Sequence, residues 1–112
     1  MLGAARIAMT AWNQMNKLER LAKLASEFYE IPLDKLRSRD GIAKYAQPRR
    51  VCMWLAVDAG YSKADVGRFW KLDRTTIYYS VKQYTKRIRS CKYEKSELIR
   101  FSKFVKKFLN DE

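Results

Sequence analysis

Between Gly60 and Lys86 the chain reads GYSKADVGRFWKLDRTTIYYSVKQYTK, two helical patterns separated by a short interruption, and the remaining residues have to hold that pair. Ser62 is an N-cap residue type, and Asp65 three positions on gives a short capping box. Val66, Phe69 and Trp70 then recur at helical spacing and face inward. Gly67 in that helix costs about 1 kcal/mol relative to alanine, which is explained if a neighbouring helix comes close. The run Trp70-Lys71-Leu72 breaks the pattern, and Asp73 restarts it as the next N-cap. Ile77, Val81, Tyr84 and Ile88 follow at i, i+4, i+7 and i+11, a single buried stripe.

Thr75, Tyr79, Lys82 and Lys86 repeat that spacing on the opposite side. The outer face therefore has hydrogen-bonding groups near its start and ammonium groups further along. Such a helix suits a DNA major groove, with its tip reaching base edges while its body meets phosphates. A solvated amphipathic helix has the same periodicity, so the choice depends on the charge of the whole chain. Its 112 residues carry 24 Lys+Arg against 12 Asp+Glu, a net charge of +12. An excess of that size repels itself and calls for an anionic partner, nucleic acid first and an acidic membrane surface second. Ten Lys/Arg against two Glu lie between Lys82 and Lys107, a concentrated positive field.

Other classes are set aside by what the sequence lacks. With no histidine and no C-x-x-C pair, Cys52 and Cys91 read as reduced thiols rather than metal ligands. No run of apolar residues has the length of a membrane span, and the opening residues do not read as a secretory leader. The expectation is a cytoplasmic, nucleoid-associated protein without a membrane partner, cofactor, metal or small-molecule substrate. No pairing of carboxylates or activated nucleophile suggests an enzyme.

The periodicity predicts an all-α single domain of about six helices with a central helix-turn-helix. Residues 1–16 form a weakly helical extension, with residues 4–15 as its candidate helix, and the domain occupies residues 17–112. A helix from Lys17 to about Glu30 buries Leu18, Leu21, Ala22, Ala25, Phe28 and Tyr29. Pro32 ends it, and Leu33–Leu36 makes one more turn. Residues 37–47 read as a basic loop bending at Gly41, and Pro48 as N1 of the next helix, roughly 48–59. That helix is apolar nearly all round and is predicted to be central. Arg49 and Arg50 then fall in its first turn, unfavourable for the helix dipole unless a phosphate docks there or Asp58 or Asp65 pairs with them. A last helix from about Glu94 to Leu109 buries Leu98, Phe101, Val105 and Phe108, widened by Ile99 and Leu109.

Four pieces, Pro48-Arg49-Arg50, Gly60-Tyr61-Ser62, Val66-Gly67-Arg68-Phe69 and Asp73-Arg74-Thr75-Thr76-Ile77, stand in an order and spacing that resembles a known family. It is similar to the C-terminal DNA-binding domain of the bacterial chromosomal replication initiator DnaA, over roughly residues 17–109. In that family P-R-Q opens a central helix, I-G-x-x-F lies in the first helix of a helix-turn-helix, and R-D-H-T-T-V opens the recognition helix. The resemblance implies binding of duplex DNA at a short asymmetric box, with a basic loop in the adjacent minor groove. Carried across, Asp73, Thr75 and Thr76 match base-contacting positions and Arg49 a phosphate-contacting one. The chemistry agrees, since threonine offers a hydroxyl and a methyl to base edges and aspartate accepts from cytosine N4.

This sequence departs from the family at three places. Arg74 stands for the histidine, Leu72 for the preceding arginine, and Ala43, beside Lys44, for the minor-groove arginine. These differences bear on which box is read, not on how the helix docks. The candidate base-contacting residues are Asp73, Arg74, Thr75 and Thr76. Candidates for the DNA backbone or minor groove are Arg39, Lys44, Arg49, Arg50, Lys63, Lys71, Tyr79 and Lys82. The 112 residues contain no G-x-x-x-x-G-K-[ST] motif. They read as the binding domain of such an initiator alone, or as a small relative of phage or mobile-element type acting on replication boxes or a promoter. Two alternatives stay open, a nucleic-acid or nucleoid binder without base readout and a module that docks a replication initiator or another replication protein.

Overall fold

The computed structural model describes residues 16–38 and 43–109, which form six helices. They are α1 (Lys17–Tyr29), α2 (Leu33–Leu36), α3 (Ala43–Asp58), α4 (Lys63–Trp70), α5 (Arg74–Ser90) and α6 (Lys92–Leu109). No strand occurs among the described residues, and no described helix is long and apolar enough to cross a membrane. The expected helix at 4–15 and the bend at Gly41 lie outside the described residues.

Local chemistry sets the boundaries of α1. Asn16 accepts from the Glu19 N–H at 2.8 Å while Glu19 Oε1 accepts from the Asn16 N–H at 2.8 Å, a complete capping box. Its C-cap, Glu30, is left-handed at φ 54°, and its N–H reaches back to the Glu27 carbonyl. Pro32 then stands at the N-cap of α2, a single turn that buries Leu36.

The helix α3 is central, as its all-round apolarity predicts. Val51, Cys52, Met53 and Ala56 are buried, and α1, α2, α4 and α5 all pack on it. Its start corrects the sequence expectation, because the helix begins at Ala43 and Pro48 is its sixth residue rather than its first. Residues 43–47 contain no helix breaker, and a proline this near the start forgoes one ladder bond, that to the carbonyl of Lys44. Arg49 and Arg50 are thus seventh and eighth in the helix and do not sit at its positive end.

Against α3 lies α5, held by Ile77 and Tyr84, both fully buried. Trp54 Nε1 donates to Thr85 Oγ1 at 3.0 Å, and Thr85 donates to the Val81 carbonyl at 2.8 Å. The Trp54 ring meets Tyr84 edge-on at 6.2 Å. Helix α6 runs from Lys92 rather than Glu94, with only Cys91 between it and α5. It buries Leu98 and Phe101, while Ile99 is 45% exposed and does not widen the stripe. Phe104 takes that place, 5.3 Å from the ring of Phe28. The side chains of Phe108 and Leu109 lie outside the described part. Cys52 and Cys91 are both free thiols, and burial raises the pKa of Cys52.

Gly67 explains how α4 and α5 are joined so tightly. A Cβ there would stand 2.4 Å from the Leu72 carbonyl oxygen, closer than any real contact. Its intruder is the turn backbone and not a neighbouring helix. The same glycine's carbonyl accepts from Leu72 N at 2.8 Å, and Lys71 between them is left-handed at φ 59°. Gly67→Ala is expected to push the turn open and destabilise the fold by about 1–3 kcal/mol. Denaturant unfolding checks this, and an unchanged midpoint would refute it.

Candidate nucleic-acid interface

Asp73 sets the geometry of the exposed tip. Its Oδ1 accepts from the Thr76 N–H at 2.7 Å, so it caps α5 as the sequence predicts. The Thr76 N–H, the Thr76 hydroxyl and the Thr75 N–H together hold its pKa below the ordinary carboxylate value. Arg74, Thr75 and Thr76 are exposed in the first turn that this cap organises. Arg74 is not ion-paired to any described residue, the adjacent Asp73 included.

One turn further on, Tyr78 and Tyr79 project outward with exposures of 45% and 56%. Their rings meet edge-to-face at 5.2 Å. Lys63 Nζ from the start of α4 and Lys82 Nζ from α5 stand 5.9 and 5.8 Å from the Tyr78 ring centre. The fold thus gathers Lys63, Tyr79 and Lys82, three of the candidate backbone-contacting residues, around Tyr78. Sequence reasoning passed over Tyr78 because it sits between the buried stripe and the outer one. The signal was the Tyr-Tyr pair itself, too large for a turn that buries only Ile77.

Lys71, exposed in the left-handed position, forms the turn before the tip. Lys44 lies exposed in the first turn of α3, its Nζ 5.6 Å from the Tyr45 ring, and Arg50 is half-buried on the same helix. No described contact joins Lys44 or Arg50 to the tip. Arg39 lies outside the described residues.

Arg49 has a structural task. Its Nε donates to the Leu36 carbonyl at 2.6 Å, and its Nη2 reaches the Lys35 carbonyl at 3.0 Å and Ser38 Oγ at 3.3 Å. It therefore satisfies the C-terminal carbonyls of α2. Arg37 does similar work, donating to the Phe69 carbonyl at 2.6 Å while stacking 3.9 Å over that ring. The Asp65 expected to complete a capping box pairs with Arg68 instead, and Ser62 alone caps α4, accepting from Asp65 N at 3.0 Å. Neither Arg49 nor Arg50 takes Asp58 or Asp65 in an ion pair among the described residues.

A short helix and a long one joined by a tight glycine-backed turn, the second carrying an exposed polar tip and resting on a central helix, define a helix-turn-helix DNA-binding domain. A family model described as the bacterial dnaA protein helix-turn-helix matches residues 18–83, more than half of the chain. The chain belongs to that family. No curated protein matches it significantly.

Arg49→Ala is expected to destabilise the fold by about 1–3 kcal/mol, because three acceptors lose a charged donor. The order of preferred DNA sequences should not change. Unfolding and competition binding measured on the same protein check both halves, and an altered preference would contradict this role.

Because the folded pKa of Asp73 is depressed, its capping contribution is present above the ordinary carboxylate range and is lost as pH falls through the folded value. Amide protection at Thr76 is expected to fall on acidification in the native sequence. Asp73→Asn, which caps without titrating, should remove that dependence. Equal pH profiles for the two proteins would show that the carboxylate does not control the tip.

Proposed function

We propose that this protein binds double-stranded DNA sequence-specifically, placing the first turns of α5 in the major groove. The observation that carries the reading is a tip of Arg74, Thr75 and Thr76 that is exposed and backbone-fixed by Asp73. Thr75 and Thr76 supply hydroxyl and methyl groups to base edges, and Asp73 has acceptor capacity for a cytosine amino group. Lys63, Lys82 and Tyr79 stand where phosphates flank the groove, with Lys71 at the turn. Lys44, Arg50 and Arg39 are assigned to the backbone or the minor groove beside it. Arg49 acts on DNA mainly by fixing α2 and the start of the loop that follows.

The biological role that follows is occupation of replication-type boxes, or of a promoter, within the nucleoid. The domain spans residue 17 onward, preceded by the extension at 1–16. No cofactor is needed for this task.

Arg74 is the residue that distinguishes this site. Arginine in the first turn of a helix is opposed by the dipole, and a guanidinium at a groove-facing tip pairs bidentately with guanine O6 and N7. The preferred box therefore has a guanine opposite Arg74. Site selection from random duplexes with the native protein and with Arg74→His is the decisive experiment. The histidine variant should move towards the initiator-type box at that one base pair. The same sequence from both proteins would make Arg74 a backbone clamp, and no enriched sequence from either would favour binding without base readout.

A further inference from the structure

The last helix carries a surface that the tip does not use. Its inward side is Leu98, Phe101, Phe104 and Val105, and it packs on α1 and α5. At about 100° per residue, Lys92, Lys95, Arg100, Lys103, Lys106 and Lys107 fall within roughly 140° on the opposite side. All six are exposed, and the remaining members of that sector are Ser96 and Ile99. The sector holds no carboxylate. The acids of α6 turn to other partners: Gln47 Nε2 donates to Glu94 Oε1 at 3.0 Å and Glu97 Oε1 at 3.3 Å, and Arg87 Nε donates to Glu94 Oε2 at 3.0 Å. None of the six cations is ion-paired to a described residue.

Solubility alone does not call for this pattern. A face shaped for water mixes both signs, with glutamate placed one turn before lysine. Here Lys92 and Lys95, Arg100 and Lys103, and Lys103 with Lys106 and Lys107 are like-charge neighbours that repel. The helix dipole favours Lys106 and Lys107 in the last turn but opposes Lys92 and Lys95 in the first. The residues matched by the family model end at 83, before this helix begins.

We propose that the outer face of α6 is a second duplex-binding surface, one that grips the phosphate backbone of a DNA segment other than the segment at the α5 tip. It goes beyond the tip's reading and does not depend on base recognition there. Charge complementarity selects the partner. The row of cations extends about 22 Å along the helix, and a duplex offers it a continuous line of phosphates. A helix that lies in a membrane surface needs its apolar side available, and that side of α6 is in the core. Direction separates the two surfaces, and at the start of α6 distance does so too. Helix α6 starts one residue after the end of α5 remote from Asp73, about 25 Å along that helix. Its cationic face is turned away from α5, the element carrying the tip. One molecule can thus hold two duplex segments.

The test is a bridging assay on the full chain. A box-containing duplex is tethered to beads and loaded with protein, and a free fluorescent duplex of unrelated sequence is added at low salt. The native protein should retain the free duplex. Lys103→Gln/Lys106→Gln/Lys107→Gln, three exposed substitutions, should lower that retention by about tenfold, with the tethered duplex bound within about twofold and the helical circular dichroism unchanged. Four results would overturn the proposal. They are no second duplex held by the native protein, equal retention by the variant, a parallel loss of the tethered duplex, or α6-dependent binding only to vesicles of anionic lipid. A protein without any preferred box can still bridge duplexes, so the two readings fail separately.

Discussion

The carbonyl oxygen of Leu72 occupies the space where residue 67 would carry a Cβ, and the exposed tip depends on that close approach. It lets Lys71 turn left-handed and Leu72 close on the Gly67 carbonyl within two residues of the end of α4. Asp73 then arrives in extended conformation, ready to cap α5, and the cap fixes Arg74, Thr75 and Thr76. Backing for this assembly comes from α3, through Trp54, Tyr84 and Thr85. Residues far from any ligand therefore set the position of the few that would meet one.

Much of this was legible in the sequence because its period is strong. The stripe Ile77, Val81, Tyr84, Ile88 is a helix face in any context, and Asp73 after a broken pattern is an N-cap by chemistry. Pro48 was misleading. Its preference for N1 is statistical, while residues 43–47 are acceptable helix formers that tertiary packing recruits, with Tyr45 buried. Moving the start of α3 changed the meaning of Arg49, from a dipole-opposed anion binder to a residue that closes α2. No local pattern announces that role, since its acceptors lie 11–14 residues away. Ile99 and Phe104 exchanged places for a similar reason. Both border the stripe, and only the position of Phe28 on another helix decides which is covered.

The charge shows a comparable division. Composition alone implies an anionic partner, but not where the cations stand. Packing settles that by turning Glu94 and Glu97 towards Gln47, with Glu94 also taking Arg87, which strips the outer side of α6 of compensation. Around Tyr78 the arrangement is different, with Lys63 and Lys82 converging from two helices on one aromatic ring. An aromatic face restrains an ammonium without neutralising it. Those two lysines therefore keep their charge and lose some of their freedom.

Asp73 also has a consequence for how the molecule would search DNA. A protein with net charge +12 is drawn to phosphate everywhere along a duplex, and a wholly cationic tip would settle on the backbone ridge. An ionised carboxylate at the head of α5 repels phosphate oxygens, and its depressed pKa widens the range over which it stays ionised. Of the groups at the tip, the Asp73 carboxylate is thus one that gains nothing from the ridge. If Lys63 and Lys82, which share the Tyr78 ring, meet phosphates as proposed, the Asp73 carboxylate is favoured away from the ridge, towards groups that can donate to it. On that proposal the negative charge would act by exclusion, disfavouring contact of the tip with the ridge while the protein slides.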